Sequence, residues 1–452
     1  MKKRVEMPTC DPNTRISKYH EVNLGYDKEQ MMLEASRCLQ CKHQPCVQGC
    51  PVGIDIPGFI NHMKEDNIDL ALKTILKDNP LPAVCGRVCP QETQCEIKCV
   101  FAKSGEPIAI GYLERYVGDH GHVDVTPIEK TQKKMAIAGG GPAGLSCALT
   151  LAQHGFDVTI FDTWDKLGGV LYYGIPAFRL PNQVVEKEVQ RLLKLGVTFE
   201  KNIIVGVSVS FDDLFEQGFE AIFLATGAGL PSMINIENLD AIGVFSANEY
   251  LTRLNVFHAD QKDHVTPLYQ GKKVIVIGGG NVAIDAARSA IRQKADVTIA
   301  YRRTKQDMPA RIEEIHHAIE EGVKVIPLLN PLKITTNEEG YVTGIEFSVN
   351  KTDGVDDRGR SIIINDTTKE HVFLEADMII IAVGTQPNKL LQQLKGRLDL
   401  DRYGCIVVDD TMQTSIEHVY AGGDAVLGAA TVILALGQGK EAACHMIEKY
   451  TT

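Results

Sequence analysis

The sequence has 452 residues, of which 44% are hydrophobic and 23% charged, an ordinary composition for a globular protein of more than one domain. Its formal net charge of −11 argues against nucleic acid or an anionic membrane surface as the main partner. No apolar run approaches the roughly 20 residues of a transmembrane helix, and no apolar segment follows the basic residues 1–4. We therefore expect a cytoplasmic protein whose twelve cysteines serve metal or redox chemistry.

Eight of the cysteines lie between Cys38 and Cys99, in two groups. The first group reads C-x2-C-x4-C-x3-C-P from Cys38, and the second reads C-x3-C-P-x4-C-x3-C from Cys85. Closely spaced thiolates can surround an iron–sulfur cubane, and a Cys-Pro end is typical of such runs. Zinc is the alternative, but structural zinc sites favour two compact C-x2-C pairs, and only one occurs here. The spacing therefore favours iron–sulfur clusters.

A dinucleotide-binding motif begins near residue 135. An apolar strand at 135–138 precedes a glycine turn, a helix that runs to about His154, and a strand at 157–161 that ends at an acid. This order is typical of a dinucleotide fold, in which the glycines let the backbone approach a pyrophosphate at a helix N-terminus. The terminal acid can accept hydrogen bonds from ribose hydroxyls. The candidate contacts are Gly139, Gly141, Pro142, Ala143, Gly144 and Asp162.

The same motif recurs at 273–303. A strand at 273–277, a glycine turn and a helix at 284–292 lead to a strand at 296–300, but Tyr301, Arg302 and Arg303 stand where an acid would be. An acid would repel a 2′-phosphate, whereas arginine binds one bidentately. This second site should therefore prefer NADP(H), although a solvent-exposed strand end is the plainer explanation of the two arginines. The candidate contacts are Gly278, Gly280, Asn281, Val282, Arg302, Arg303 and, at a later strand end, Gly384.

Two dinucleotide folds in one chain indicate a flavin enzyme that exchanges hydride with a nicotinamide. Near the C-terminus, a strand at 419–421 ends in Gly422-Gly423-Asp424, and a helix follows at about 430–450. The acid can contact the ribityl–phosphate region of FAD, and the helix dipole can stabilise a reduced flavin. No cysteine pair follows residue 99, so a disulfide beside the flavin is not expected to receive its electrons. The N-terminal cysteines offer another route.

The predicted fold class is α/β, with two Rossmann-like dinucleotide-binding domains and a helical iron–sulfur domain before them. The NADP(H)-binding domain, 245–385, is inserted into the FAD-binding domain, 131–244 and 386–452, and residues 1–130 form the iron–sulfur domain. No residues remain for a domain that binds an organic substrate. The electron acceptor should therefore be another polypeptide.

Several motifs are similar to those of one family, which contains the small subunit of NADPH-dependent glutamate synthase. Its other members include the large subunit of NADH-dependent ferredoxin–NADP+ oxidoreductase and the N-terminal part of dihydropyrimidine dehydrogenase. The resemblance covers essentially the whole chain. Its motifs are CLQCKHQPCVQGCP from Cys38, IPGFI from Ile56, VCGRVCPQ from Val84, EPIAIGYLERY from Glu106, YGIPAFRLP from Tyr173, YRR from Tyr301, DMPAR from Asp307 and AGGDA from Ala421.

The resemblance implies FAD, NADP(H) and two [4Fe-4S] clusters. It assigns Cys38, Cys41, Cys46 and Cys99 to the first cluster, and Cys50, Cys89, Cys95 and Glu114 to the second. Spacing alone would take Cys85 as the eighth ligand, and Glu114 would then be a helix-surface charge paired with Arg115 or Lys103. The further flavin contacts are Gly168, Gly169, Arg179, Val205, Thr226, Gly227, Gly423, Asp424 and Thr431.

The implied activity is transfer of electrons from NADPH through FAD and the clusters to a partner subunit. Three acceptors fit the family: the large subunit of glutamate synthase, which we favour, the ferredoxin/NAD-linked subunit of a transhydrogenase (including electron-bifurcating forms), and dihydropyrimidine dehydrogenase. A flavin-containing assembly module with structural metal and no turnover is an alternative from another class. The cofactors carry the chemistry, so no catalytic acid or base is assigned.

Overall fold

The computed structural model describes residues 3–124, 128–261, 264–357, 359–388 and 398–451. None of the helices in these ranges combines the length and the apolar content that a bilayer crossing needs. The structure has three parts, and each part has its own buried core.

The first part is helical and carries the two cysteine groups. Its helices begin at polar caps or at proline; for example, the Asp27 side chain caps the helix at Lys28 and the Asp55 side chain caps the one at Ile56. Phe59, Ile60 and Met63 are fully buried at its centre. The helices are α1 (Pro12–Arg15), α2 (Lys28–Ser36), α3 (Pro45–Gly49), α4 (Ile56–Lys64), α5 (Ile68–Leu76), α6 (Pro82–Val88) and α7 (Ile110–His120), with 3-10 turns at Gln91–Thr93 and Val100–Ser104.

The second part is built on a parallel five-stranded sheet in the order β16-β4-β1-β2-β3. Its strands are β1 (Lys134–Ala138), β2 (Asp157–Asp162), β3 (Thr198–Lys201), β4 (Phe219–Leu224) and β16 (Val419–Ala421). The helices around it are α8 (Pro142–Ala152), α9 (Val170–Tyr173), α10 (Asn182–Leu193), α11 (Phe211–Glu216), α15 (Asp424–Leu427) and α16 (Val432–Thr451). The strand order reverses between β1 and β4, which places a ligand crevice at their carboxyl ends.

The third part repeats this arrangement in the middle of the chain. A parallel sheet has the order β6-β14-β7-β8-β9. Its elements are β6 (Val244–Ser246), β7 (Lys273–Ile277), β8 (Asp296–Tyr301), β9 (Lys324–Pro327) and β14 (Met378–Ile381), with α12 (Ala247–Asn255), α13 (Asn281–Arg292), α14 (Ile312–Glu320) and a 3-10 turn at Lys305–Asp307. The two crossings between the parallel sheets pair with each other as β5 (Leu230–Pro231) and β15 (Thr385–Gln386).

An antiparallel sheet covers one side of this third part. Its strands are β10 (Leu329–Thr336), β11 (Val342–Val355), β12 (Ser361–Asn365) and β13 (Val372–Glu375), and β11 pairs with the other three. Ile345 and Phe347 of β11 are fully buried in a core that also holds Ile379 of β14. This sheet therefore fixes the position of the segment that follows the carboxyl end of β8.

The helical part packs against both sheet-containing parts. Val84 and Cys85 of α6 share one buried core with Leu149 of α8 and Leu436 of α16. An N-terminal arm crosses to the third part, where the Lys18 carbonyl oxygen accepts a hydrogen bond of 3.1 Å from Nε of Arg292. The cysteine-bearing part is therefore held against the rest of the chain at two places.

Candidate functional site

Four cysteines, Cys38, Cys41, Cys46 and Cys99, line one hollow in the helical part. The rest of its wall is mostly apolar and includes Ile56 and Ile60 of α4. All four thiols are half-buried. Burial raises the pKa of Cys46 to about 11, and the neighbouring thiols of Cys38 and Cys99 contribute in the same direction. A thiol held neutral by its surroundings becomes a good ligand once a metal stabilises the thiolate.

A second group lies deeper, beside the core that α6 shares with α8 and α16 of the second part. Cys50 is half-buried, whereas Cys89 and Cys95 are buried. The pKa of Cys50 is raised to about 11 by burial and, less strongly, by Glu114 and Cys89. For Cys89, a hydrogen bond with Cys85 is the largest cause of its raised pKa, followed by burial. The structure therefore brings these three cysteines together with both candidates for their fourth partner.

Glu114 faces this group because α6 and α7 approach each other closely. A Cβ on Gly86 would lie 2.5 Å from the backbone nitrogen of Arg115, and a Cβ on Gly118 would lie 2.4 Å from that of Ala83. Glycine at these two crossing points allows the backbones to touch. Glu114 is thereby buried, and burial raises its pKa to about 8. The alternative interpretation of Glu114 as a helix-surface charge is wrong.

Asn79 was missed by the sequence analysis. Its side chain is fully buried, and Nδ2 donates to Oε1 of Glu114 at 2.6 Å, while Oδ1 lies 3.5 Å from Sγ of Cys85. The local sequence, Asn79-Pro80, indicates only a turn. No motif could have shown that this side chain contacts both candidate ligands.

The donor sets of the two groups fit iron–sulfur clusters. Soft thiolates are the ligands that such clusters prefer, and both groups lie against apolar walls. Within the described ranges, no three or more His, Cys, Asp or Glu side chains are arranged to hold a single metal ion. A cubane makes a different demand, because each of its protein ligands binds a different iron.

The glycine turn after β1 forms the first dinucleotide site. Gly139 has φ +109°, and a Cβ there would lie 2.3 Å from the Ala225 carbonyl oxygen. A Cβ on Gly144 would lie 1.9 Å from the Gly139 carbonyl oxygen, so the helix can start this close to β1 only with glycine. Asp162 is the last residue of β2, and its Oδ2 accepts from the Gly140 backbone N–H at 2.6 Å. The glycine turn and Asp162 therefore already have the relative position that a dinucleotide-binding motif needs.

The remaining flavin candidates mostly gather around this turn. The Gly168 N–H donates to the Gly140 carbonyl oxygen at 2.8 Å, and a Cβ on Gly169 would lie 2.8 Å from Cα of Gly141. Pro142 and Ala143 begin α8, and a Cβ on Gly423 would lie 2.7 Å from that of Ala143. Val205 lies farther along, after β3, in a bridge with Val209.

The carboxyl end of the sheet carries polar groups that fit FAD. Thr226 Oγ1 is buried and has no hydrogen-bond partner among the described residues, and a Cβ on Gly227 would meet open space. Burial raises the pKa of Asp424 to about 6. Thr431 caps α16, where its Oγ1 accepts from the Leu434 N–H at 3.4 Å. A polar ligand in this open space would supply the hydrogen bond that the buried hydroxyl lacks.

The second glycine turn follows β7. Gly278 has φ +143°, and a Cβ there would lie 2.2 Å from the Ala382 carbonyl oxygen. A Cβ on Gly280 would meet nothing within 4 Å, which leaves room for a pyrophosphate at the start of α13. Asn281 Oδ1 accepts from the Arg311 N–H at 3.1 Å, and Val282 is exposed. Gly384, with φ +110°, follows β14.

Arg302 and Arg303 stand at the end of β8. Arg302 is exposed, and its carbonyl oxygen accepts from Nδ2 of Asn350 at 2.9 Å. Nε of Arg303 donates to the Ser361 carbonyl oxygen at 3.2 Å. Strands β11 and β12 thus hold this segment, with the Arg302 side chain facing solvent. The geometry suits recognition of a phosphate at the strand end.

Arg179 contacts two helices of the third part. Its Nη1 pairs with Oδ2 of Asp285 at 2.6 Å, and its Nε lies 3.4 Å from Oε2 of Glu314. Arg288 pairs with the same Glu314, and its guanidinium lies 4.6 Å from the ring centre of Phe178. Buried ion pairs of Arg179 therefore join the second part of the structure to α13 and α14. A contact between Arg179 and flavin stays a prediction.

Two segments of the chain match known protein families. Residues 133–439 match the family model described as pyridine nucleotide–disulphide oxidoreductase, and residues 15–124 match one described as dihydropyrimidine dehydrogenase domain II, 4Fe-4S cluster. The small chain of NADPH glutamate synthase from Escherichia coli is 34% identical, with 97% of this chain and 96% of that protein covered. The beta subunit of NADP+-dependent formate dehydrogenase from Moorella thermoacetica is 36% identical, with 90% of this chain and 60% of that protein covered.

A solved structure shows the same fold. Mycobacterium tuberculosis FprA in complex with NADPH superposes with a TM-score of 0.59 and 19% identity, with 71% of this chain and 85% of that chain covered. The predicted α/β fold class and the predicted family resemblance are confirmed. The chain is therefore an oxidoreductase that belongs to the pyridine nucleotide–disulphide oxidoreductase family, in the group that carries an N-terminal 4Fe-4S domain and includes the small chains of NADPH glutamate synthase.

Proposed function

We propose that this chain passes electrons from NADPH through FAD and two [4Fe-4S] clusters to a partner subunit, the large subunit of a glutamate synthase. One observation carries the relay: Cys89 of the inner group and its neighbour Cys85 lie in the buried core of the second part. Cys85 and Cys89 pack in the same cluster as α8 and α16. Next to Cys50, Val52 Cγ1 would lie 3.0 Å from a Cβ on Gly437 of α16. Electrons leaving a flavin at the start of α16 would thus have a short route to the second cluster.

The residues at the two dinucleotide sites have binding and orienting roles in this proposal. When bound, FAD supplies the conversion of a two-electron hydride into single electrons. Gly139, Gly141 and the start of α8 receive the FAD pyrophosphate, and Asp162 the ribose. Arg302 and Arg303 receive the 2′-phosphate of NADPH. The first turn of α16 directs its backbone N–H groups towards negative charge on the flavin.

The cluster ligands follow the two spatial groups. Cys38, Cys41, Cys46 and Cys99 hold the outer cluster, and Cys50, Cys89, Cys95 and Glu114 hold the inner one. The two groups differ in exposure, since the outer thiols are half-buried while Cys89 and Cys95 are buried. This supports an order in which the inner cluster takes electrons from FAD and the outer one delivers them.

The glutamate synthase assignment is supported by the relative from Escherichia coli, because the alignment extends over nearly all of both chains. The proposed domain limits are 1–130 for the iron–sulfur domain, 131–244 with 386–452 for the FAD domain, and 245–385 for the NADP(H) domain. A cytoplasmic location is supported by the thiols, which such clusters need in reduced form.

The experiment is co-expression with the glutamate synthase large subunit of the same organism. The purified chain should hold about one FAD and about eight irons. NADPH should bleach the flavin and the iron–sulfur absorbance without oxygen, and the complex should form glutamate from glutamine and 2-oxoglutarate. Cys46→Ser should retain NADPH-dependent dye reduction but lose glutamate formation. Stoichiometric zinc without iron would reject the relay, and intact cluster reduction without complex formation would reject the acceptor.

A further inference from the structure

The surface around the outer cysteine group differs in charge from the rest of the chain. The segments 36–48 and 97–105 contain all four of its cysteines, and they include four basic residues but no Asp or Glu. The whole chain has 58 acidic and 47 basic residues. Of the four basic residues, Lys42, Lys98 and Lys103 are exposed, whereas Arg37 is buried in a pair with Glu34.

Apolar side chains are exposed between these lysines. Leu39 is 62% exposed, Ile97 is 55% exposed and Val100 is 43% exposed. Leu39 and Val100 also line the hollow of the outer cysteines. We call this surface, formed by Leu39, Ile97, Val100, Lys42, Lys98 and Lys103, the outer face. An apolar centre with a charged rim is the usual composition of a protein–protein interface.

The charged side chains at the two ends of α4 do not cancel the positive charge of the outer face. Asp55 precedes α4, and its Oδ1 accepts from the Gly58 N–H at 2.9 Å, which ties the carboxylate to the helix cap. At the other end of the helix, Nζ of Lys64 donates to the Cys38 carbonyl oxygen at 2.7 Å. Asp55 and Lys64 offset each other in charge, and within the segments 36–48 and 97–105 the exposed charged side chains are Lys42, Lys98 and Lys103, which give the outer face its positive charge.

We infer that the outer face is the docking site for an acidic surface of a one-electron redox protein, and this inference rests on the proposed function. The partner would place its own redox centre over the hollow of Cys41, Cys46 and Cys99, with its carboxylates on Lys42, Lys98 and Lys103. On a chain whose net charge is −11, a local basic rim favours the approach of an acidic partner in this orientation. Charge would thus select the position from which an electron can leave the outer cluster.

The test compares two small one-electron acceptors of opposite charge, the acidic rubredoxin and the basic cytochrome c. With NADPH as donor at low ionic strength, reduction of rubredoxin should be faster and should slow as salt is added. The triple variant Lys42→Glu/Lys98→Glu/Lys103→Glu should reduce rubredoxin at least tenfold more slowly than the unmodified protein does. It should reduce cytochrome c faster. Steering by charge commonly changes association rates by this amount.

A matched control changes the same charge elsewhere. Lys194, Lys201 and Lys369 are exposed lysines of the two sheet-containing parts. Their triple change to Glu should leave the ratio of the two acceptor rates as in the unmodified protein. Equal loss of rubredoxin reduction in both triple variants would overturn the docking site, because net charge rather than position would then be responsible.

Two further measurements separate this inference from the proposed function. Iron content and NADPH-driven bleaching of the clusters should be unchanged in the outer-face variant, and so should reduction of a small dye. If those signals are absent in the unmodified protein, the relay itself fails. If they are present and the rubredoxin rate is insensitive to salt and to the lysine changes, only the docking site is wrong. A Lys42→Gln/Lys98→Gln/Lys103→Gln variant covers the case in which charge reversal disturbs folding, and it should lose part of the salt dependence.

Discussion

Asn79 donates a hydrogen bond of 2.6 Å to Glu114, and both side chains are buried beside the cysteines of the inner group. The two residues are 35 positions apart in the chain, on the approach to α6 and within α7. Asn79 also lies 3.5 Å from Sγ of Cys85. The carboxylate and the thiol that compete for the last ligand position are thus held by the same amide.

The first prediction decides between these two ligands. If Glu114 binds iron, Glu114→Ala should leave about four to seven irons per chain, whereas Cys85→Ser should keep about eight. NADPH should still reduce the flavin in both variants, because hydride transfer needs only the two dinucleotide sites. Iron analysis and anaerobic NADPH titration check this. The opposite pattern of iron loss would make Cys85 the ligand.

The sequence predicted the parts of this molecule that are local in the chain. The strand expected at 157–161 is β2, Asp157–Asp162, and the helix expected at about 430–450 is α16, Val432–Thr451. Both follow from short-range patterns of apolar residues and glycine. The two cysteine groups were also found, because thiol spacing is visible in one dimension.

The contacts missed by the sequence analysis join distant parts of the chain. Arg179 meets Asp285 across 106 positions, and nothing near either residue indicates the pairing. The resemblance assigned Arg179 to flavin, whereas the structure gives its guanidinium two carboxylate partners. Such pairs depend on how the domains pack, and a local pattern carries no information about that packing.

The second prediction concerns nucleotide choice. The double variant Arg302→Ala/Arg303→Ala should raise KM for NADPH far more than KM for NADH. Each lost charge-assisted contact with the 2′-phosphate should cost about 1.5–3 kcal/mol, so the preference should fall tenfold or more. Steady-state kinetics with both nucleotides and a dye acceptor measures this. Equal effects on the two KM values would mean that the arginines do not contact the 2′-phosphate.

The third prediction uses the buried charges between the domains. The guanidinium groups of Arg288 and Arg179 outweigh the effect of burial on Glu314 and lower its pKa to about 2. A carboxylate with a lowered pKa stabilises the fold above its unfolded value of 4.5, and this contribution disappears as the pH falls from about 5 towards 2. The shift corresponds to about 3 kcal/mol at neutral pH.

Glu314→Gln should therefore lower the unfolding temperature at pH 7, and its difference from the unmodified protein should shrink as the pH falls below 5. Thermal unfolding followed by fluorescence across this range measures the difference. Glu338→Gln is the control, because Glu338 is exposed in the turn between β10 and β11 and takes no part in the buried charge cluster. A difference that stays constant from pH 7 to pH 3 would mean that loss of the Glu314 charge is not the cause.

The last prediction concerns the crossing of α16 with α8. Alanine is favoured over glycine within a helix by about 1 kcal/mol, so Gly→Ala in α16 should stabilise the chain wherever there is room. At Gly439 there is none, since the new Cβ would lie 2.1 Å from the Ala143 carbonyl oxygen and 2.9 Å from its carbonyl carbon. At Gly437 the Cβ would meet Val52 Cγ1 at 3.0 Å, and that side chain can move. Overpacking against fixed backbone commonly costs about 1–3 kcal/mol, which exceeds the helix gain.

Gly439→Ala should therefore lower the unfolding temperature and, because Ala143 belongs to the FAD turn, release FAD during gel filtration. Gly437→Ala should keep FAD and unfold within a degree or two of the unmodified protein. Retention of FAD and an unchanged unfolding temperature in Gly439→Ala would show that α16 can move away from α8 without disturbing the glycine turn.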